Sequence, residues 1–369
     1  MTSPIATSLF PIARVRCYWR PIILVGAACM LLVLFWFGSR YPALLKKAHH
    51  VGQTLPSMAF SSQLIRVAPE APVWWRIVAT SINWLDGMRV GMTFGILLGA
   101  LLHTALRYYP MKVGKNLYLN TVAGAVIGVP MGVCANCAVP TACGVTRGNG
   151  RVEVALGFLF SSPNFNPVVV SMAFAALPLA MVVTKYAILL FVILVVVPSL
   201  IGWLNRNEPS TVSSKGLDVD SCTIELPRNL ECNERFVPVF NELTMAFGRN
   251  AWNLLKPTVT LMVLASVLAA TLLTLVPWGA LLSQLTPLRL AVGAIVSVVM
   301  PVPIALDVMF AAQLQSQSVA SGYVMMFFMT LGTFSIVPTI YLWREVSKPL
   351  AAVLLTFFLC AGSILGLLF

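Results

Sequence analysis

Nine stretches of this 369-residue chain carry no charged residue: 21–39, 90–106, 116–146, 154–184, 186–205, 257–288, 290–306, 308–343 and 349–369. Most match or exceed the roughly 20 apolar residues that a helix needs to cross the hydrocarbon core of a bilayer. They are continuous rather than alternating every second residue, which argues against a transmembrane β-barrel. Charged residues make up 10% of the chain, against about 25% in soluble domains. The chain therefore reads as an all-α integral membrane protein with about nine transmembrane helices, multi-pass in the inner cell membrane.

The net charge of +12 does not point to nucleic acid, because the lysines and arginines are scattered through the connections and form no long basic run. Anionic lipid headgroups are the partner this distribution suits. Eight cysteines in so long and apolar a chain are no disulfide framework. Cys17, Cys29, Cys143 and Cys360 read as small core residues. Cys222 and Cys232 fall in a polar stretch with no further zinc ligands visible, and His49 and His50 adjoin no cysteine or carboxylate. No cofactor or metal set is expected, and homo-oligomerisation is left open.

Arg14, Arg16 and Arg20 precede a run from Pro21 to Phe37 that is too long for a signal-peptide core and has no small-residue cleavage site after it, so it reads as a retained first helix. Trp74 to Asp86 mixes tryptophans with isolated charges, as a helix lying in the membrane interface would. His103, near the end of the following helix, takes an ordinary interfacial role. Gly124, Gly128 and Gly132 recur every four residues, a spacing that lets helix backbones approach closely. These features divide the chain into an N-terminal helix and polar connection (1–73), a first membrane unit (74–204), a polar linker (205–237) and a second membrane unit (238–369).

An ungapped offset of 171 residues lays Pro130 on Pro301, Asn136 on Asp307, Ser162 on Thr333 and Pro167 on Pro338. Internal duplication is common in transporter folds. The expectation is one extra helix followed by two four-helix repeats with proline-broken helices.

Chemistry concentrates between Val129 and Val170, where four prolines, three cysteines and four asparagines occupy mostly apolar sequence. In lipid every backbone polar group must be satisfied internally, so broken helices survive only when buried in protein or lining a cavity. Cys134, Asn136 and Cys137 form C-A-N-C between Pro130 and Pro140, and thiolates there would prefer soft, thiophilic species. Ser162, Pro163, Asn164, Asn166 and Pro167 form a second cluster, whose amides suit either the repair of broken backbone or the holding of a polar solute. Asp307 is the only acidic residue from Ala291 to Trp343 and stands beside Pro301 and Pro303. An intramembrane carboxylate costs roughly 2.5–3.5 kcal/mol on insertion scales and marks a substrate, ion or proton pathway by default. The candidate pathway residues are thus Cys134, Asn136, Cys137, Ser162, Asn164, Asn166, Asp307 and Thr333, with Asn136 meeting Asp307 at the centre. Pro130, Pro140, Pro163, Pro167, Pro301, Pro303 and Pro338 are the expected helix breakers.

At these residues the sequence resembles the large family of predicted permeases that includes the organoarsenical efflux permeases. The family pattern is C-x-C-G-x-x-P, then a glycine, then A-S-P-x-x-N-P. Cys134, Pro140, Gly144, Ser162, Pro163, Asn166 and Pro167 match it, while Asn136 replaces the second cysteine and Cys137 the glycine. The resemblance implies the architecture and a transport role over residues 75–369. The lost cysteine separates this chain from members linked to trivalent arsenicals.

The expected function is a secondary permease, an exporter of a small, thiophilic or metalloid-containing solute or ion by alternating access. No G-x-x-x-x-G-K-[ST] motif for ATP is present. A membrane redox protein using Cys134 and Cys137, and a non-transporting scaffold, are the alternatives.

Overall fold

The computed structural model describes residues 19–49, 64–68, 70–109, 111, 114, 116–148, 150–207 and 235–369. The expectations placed on Arg14, Arg16, Cys17, Cys222, Cys232 and the side chains of His49 and His50 lie outside the described residues. Every regular element among the described residues is a helix, with no strand among them. In order the helices are α1 (Trp19–Phe35), α2 (Tyr41–His49), α3 (Val73–Tyr108), α4 (Leu117–Gly128), α5 (Ala135–Arg147), α6 (Val152–Asn164), α7 (Pro167–Ala176), α8 (Leu179–Phe191) and α9 (Val197–Asn207). They continue as α10 (Phe236–Leu275), α11 (Trp278–Leu282), α12 (Pro287–Val299), α13 (Leu306–Ser316), α14 (Ser321–Thr330), α15 (Ile336–Tyr341) and α16 (Lys348–Leu368). Wide π-helical turns at Trp36–Arg40 and Val192–Val196 join α1 to α2 and α8 to α9, and a third, Leu342–Val346, extends α15.

Five of these segments are long and apolar enough to cross a membrane: Trp19–Lys46, Val73–Tyr108, Leu179–Leu204, Phe236–Leu275 and Lys348–Leu368. The pair α6 and α7, bent by 44°, makes a sixth if counted as one span. Nine spans were expected, and the difference has a physical cause. The apolar windows around 116–146 and 290–343 are cut into helices of 6 to 13 residues. At 1.5 Å per residue a helix of 12 residues covers about 18 Å, well short of a core about 30 Å thick. The interfacial helix expected at Trp74–Asp86 is also corrected, since it is the first part of the continuous 36-residue α3. Pro72 precedes α3, and no proline interrupts the chain until Pro110.

The long helices turn apolar faces outward. Ile22, Val25, Met30, Leu264 and Leu268 are exposed, a surface that a bilayer covers and water would not tolerate. Inside, α3 packs on α10 and α5, α4 on α6, and α14 on α16. The contacts of the broken helices cross over, with α5 against α15 and α13 against α7. Phe160 of α6, Phe334 and Phe358 of α16 stack at centroid separations of 5.4–5.7 Å in the core between them.

Close backbone approach makes this packing possible. A Cβ on Gly124 would stand 2.1 Å from the Val154 carbonyl oxygen, and one on Gly157 2.1 Å from that of Thr121, so α4 and α6 touch along their main chains. Gly132 does not belong to that stripe; it has φ +58° in the turn before α5. Overpacking a tight contact costs typically about 1–3 kcal/mol. Gly157→Ala should therefore lower the thermal midpoint of the detergent-solubilised protein, whereas Gly248→Ala, with nothing within 4 Å, should leave it unchanged or raise it. Equal midpoints for the two variants would contradict this packing.

Candidate functional site

Ends of broken helices leave amide donors without intrahelical partners, and the polar residues of the Val129–Val170 stretch take them up. Asn166 caps α7, its side-chain oxygen accepting from the Val168 amide at 3.1 Å. Its amide nitrogen reaches the Val129 carbonyl at 3.5 Å, and the Ser162 hydroxyl accepts from the Val133 amide at 3.2 Å. Asn164 donates to the Phe160 carbonyl at 3.0 Å and accepts from Thr333 at 3.4 Å. Ser162 and Asn166 thus repair backbone.

The expected breakers act unequally. Only Pro140 sits well within a helix, and α5 continues through it; Pro163 is the next-to-last residue of α6. Pro140 removes the amide that would bond the Asn136 carbonyl. Pro167 opens α7 at its first position, so it releases no carbonyl. Pro338 lies in the first turn of α15, where no intrahelical amide bond is needed; Pro130, Pro301 and Pro303 lie in the connections before α5 and α13.

Asn136 and Asp307 occupy equivalent places, each the second residue of its short helix, but they do not bond each other. Asn136 accepts from the Ser335 hydroxyl at 2.6 Å, and its buried amide nitrogen has no partner. Asp307 binds Lys185 of α8, with Nζ 2.5 Å from Oδ2. Both members are withdrawn from solvent, at 1% side-chain exposure for Lys185 and 8% for Asp307. The ammonium also lies 4.2 Å from the centroid of the Phe328 ring, a favourable cation–π position. Asp307 stands in the first turn of α13, where the helix dipole favours a negative charge.

Lys185 escapes a reading by apolar windows because it separates two of them, 154–184 and 186–205, and looks like a boundary. Its signal was a single cation between two long apolar runs. Arg147 and Glu345 were also missed. They form a two-pronged pair, Nε to Oε2 at 3.0 Å and Nη2 to Oε1 at 2.5 Å, that ties the end of α5 to the turn after α15. Beside it the Thr146 and Tyr341 hydroxyls lie 3.3 Å apart.

Cys134 and Cys137 are joined as a disulfide across the first turn of α5. Cys134 is the N-cap, its sulfur accepting from the Cys137 amide at 3.2 Å. Both line a cavity of ≈ 230 Å³ together with Arg40, Asp86, Arg89 and Pro303. Among the described residues no group of three or more His, Cys, Asp or Glu could hold a metal ion.

Long apolar spans around short, broken helices with a buried ion pair define a multi-pass membrane protein with a polar interior. The chain belongs to the family of predicted permeases, which matches residues 80–369, and is accordingly a membrane transporter. No curated protein and no solved structure matches it.

Removing one partner of a buried ion pair costs about 3–5 kcal/mol, whereas replacing both by apolar residues is often neutral. Lys185→Met and Asp307→Leu should each lower the thermal midpoint in detergent, and the double variant should recover most of the loss. Additive losses in the double variant would mean that the two side chains do not act as a pair.

Proposed function

We propose that the protein is a secondary permease of the inner cell membrane that exports a small, thiophilic or metalloid-containing solute by alternating access. The observation that carries this reading is the buried Lys185–Asp307 pair. A charge pair withdrawn from water between two elements is costly, and intramembrane charges by default mark a polar pathway.

Polar contacts that join a residue of 74–204 to one of 238–369 include Asn136–Ser335, Asn164–Thr333, Arg147–Glu345 and Lys185–Asp307. In alternating access, with one half rocking against the other, these are the contacts that would exchange. The element order supports the two halves as repeats. Shifted by 171 residues, α4 falls on α12, α5 on α13 and α7 on α15, with Cys134 and Ala305 as matching N-caps. The unpartnered Asn136 amide supplies a donor for a solute at the interface. Asp307 couples transport to protons: when the pair faces water, protonation of the carboxylate releases Lys185 and lets the halves part. The thiophilic character of the cargo rests on Cys134 and Cys137, which become soft donors of the chain's polar centre when their disulfide is reduced.

Growth of a deletion strain against arsenicals, copper, zinc and sulfur compounds identifies the solute, and transport of that solute into everted vesicles tests the mechanism. Wild-type protein should accumulate it only under an imposed pH gradient, and Asp307→Asn should lose most of the accumulation while remaining in the membrane. Accumulation unaffected by collapsing the gradient would remove the coupling role of Asp307 and leave transport standing. Wild-type accumulation by Asp307→Asn would remove both the residue and the pair from the mechanism.

A further inference from the structure

The cavity at the N-terminus of α5 contains an unusual combination. One wall is the Cys134–Cys137 disulfide; another is Arg40, from the turn that follows α1. The point at which a Cβ on Gly91 would sit lies 2.9 Å from Nη2 of Arg40 and 3.0 Å from the Cys137 sulfur, so guanidinium and sulfur face the same small space. Nη2 and Sγ can both come this close only because residue 91 has no side chain.

Arg40 makes no ion pair with any described residue. Its Nε is buried without a partner, and its guanidinium rests 4.9 Å from the centroid of the Phe35 ring. The one carboxylate of the cavity wall, Asp86, is engaged by Arg89 at 3.5 Å. The helix terminus adds partial positive charge from its free amides. At the corresponding place on α13 the cation Lys185 meets Asp307, but on α5 the corresponding residue is the neutral Asn136. Among the described residues the cavity therefore keeps one uncompensated positive charge directly beside a disulfide.

We infer that this cavity binds a small anionic thiol, which exchanges with the Cys134–Cys137 disulfide. The carboxylate of the ligand meets Arg40, and its thiolate attacks the Cys134 sulfur. A new S–S bond forms between ligand and Cys134, the Cys134–Cys137 bond breaks, and the electron pair leaves on the Cys137 sulfur. Arg40 stabilises that thiolate, as a cation beside a leaving thiol speeds exchange. The proton lost by the incoming thiol is taken up by Cys137 or by water. A second thiol completes the reduction, releasing the ligand disulfide and leaving both protein cysteines as thiols, so the thiol is the only reductant required.

The test uses the full-length oxidised protein in lipid nanodiscs, without any transport measurement, so its outcome is independent of the permease reading. Three probes, 3-mercaptopropionate, 2-mercaptoethanol and cysteamine, carry negative, neutral and positive charge at similar size. Mixed-disulfide formation is followed by intact mass after acid quench, with each rate divided by that of the same thiol on a free model disulfide. The wild type should prefer 3-mercaptopropionate over cysteamine by about tenfold, the factor one charge-assisted hydrogen bond supplies. Arg40→Gln should lose the preference, Arg40→Lys should keep much of it, and Cys134→Ser should form no mixed disulfide by this route. Equal normalised rates for the three thiols, or no mixed disulfide with any of them, would overturn the inference. An Arg40→Gln variant that fails to fold leaves the decision to the wild-type ratio and Arg40→Lys.

Discussion

A helix that stops within a membrane exposes amides and carbonyls that lipid cannot satisfy, and the interior of this protein depends on side chains that take up that debt. Asn116 caps α4, Cys134 caps α5, Asn166 caps α7 and Thr286 caps α12. Ser162 supplies an acceptor to the connection before α5. Once their ends are closed, the short helices can lie against long ones at backbone distance. Glycines allow this: a Cβ on Gly95 or Gly99 of α3 would stand 2.2 Å from a carbonyl oxygen of α5. Capping and close packing are thus two parts of one solution, because a short helix has too little apolar surface to hold itself in place.

With α5 held in this way, its two ends become fixed points between the halves. Asn136 bonds Ser335 at one end and Arg147 pairs with Glu345 at the other. The other short helix, α13, is tied through Asp307 to Lys185 on the long segment formed by α8 and its continuation. Apolar packing is non-directional and tolerates sliding, whereas a charge pair or short hydrogen bond has essentially one good geometry. Placing the directional contacts across the halves therefore gives the structure defined registers, which is what the proposed exchange between two access states requires.

Much of this was legible in the residues. Proline, asparagine and serine inside apolar sequence announce broken helices because lipid leaves no other use for them, and Asp307 announced a polar interior for the same reason. What the sequence hid was partnership. Lys185 looked like the edge of a window, since cations at the ends of apolar runs ordinarily reach the membrane surface; the fold instead buries it against α13. Arg40 was hidden similarly, as the residue that ends the first apolar run. The count of spans was hidden because a window of apolar residues does not record where the chain reverses, and 116–146 holds two short helices where one span was expected. Asn136 and Asp307 were expected to meet at the centre, yet each bonds elsewhere, Asn136 to Ser335 before α15 and Asp307 to Lys185 of α8.

The N-termini of α5 and α13 also clarify why a single substitution between otherwise similar turns has consequences. Each is approached by a cation from a longer segment, Arg40 at the first and Lys185 at the second. A helix N-terminus is unfavourable ground for a cation, so the approach needs negative charge nearby. Asp307 provides it at α13, and the result is a closed, neutral pair. At α5 an amide stands in the acid's place, and the cavity has no free carboxylate to offer Arg40. Among the described residues no carboxylate meets that charge, and an anion entering the cavity, or a thiolate formed when the neighbouring disulfide opens, would do so. The turn with a carboxylate thus holds its own counter-ion, and at the turn with cysteines and an amide the inferred anionic ligand would supply one.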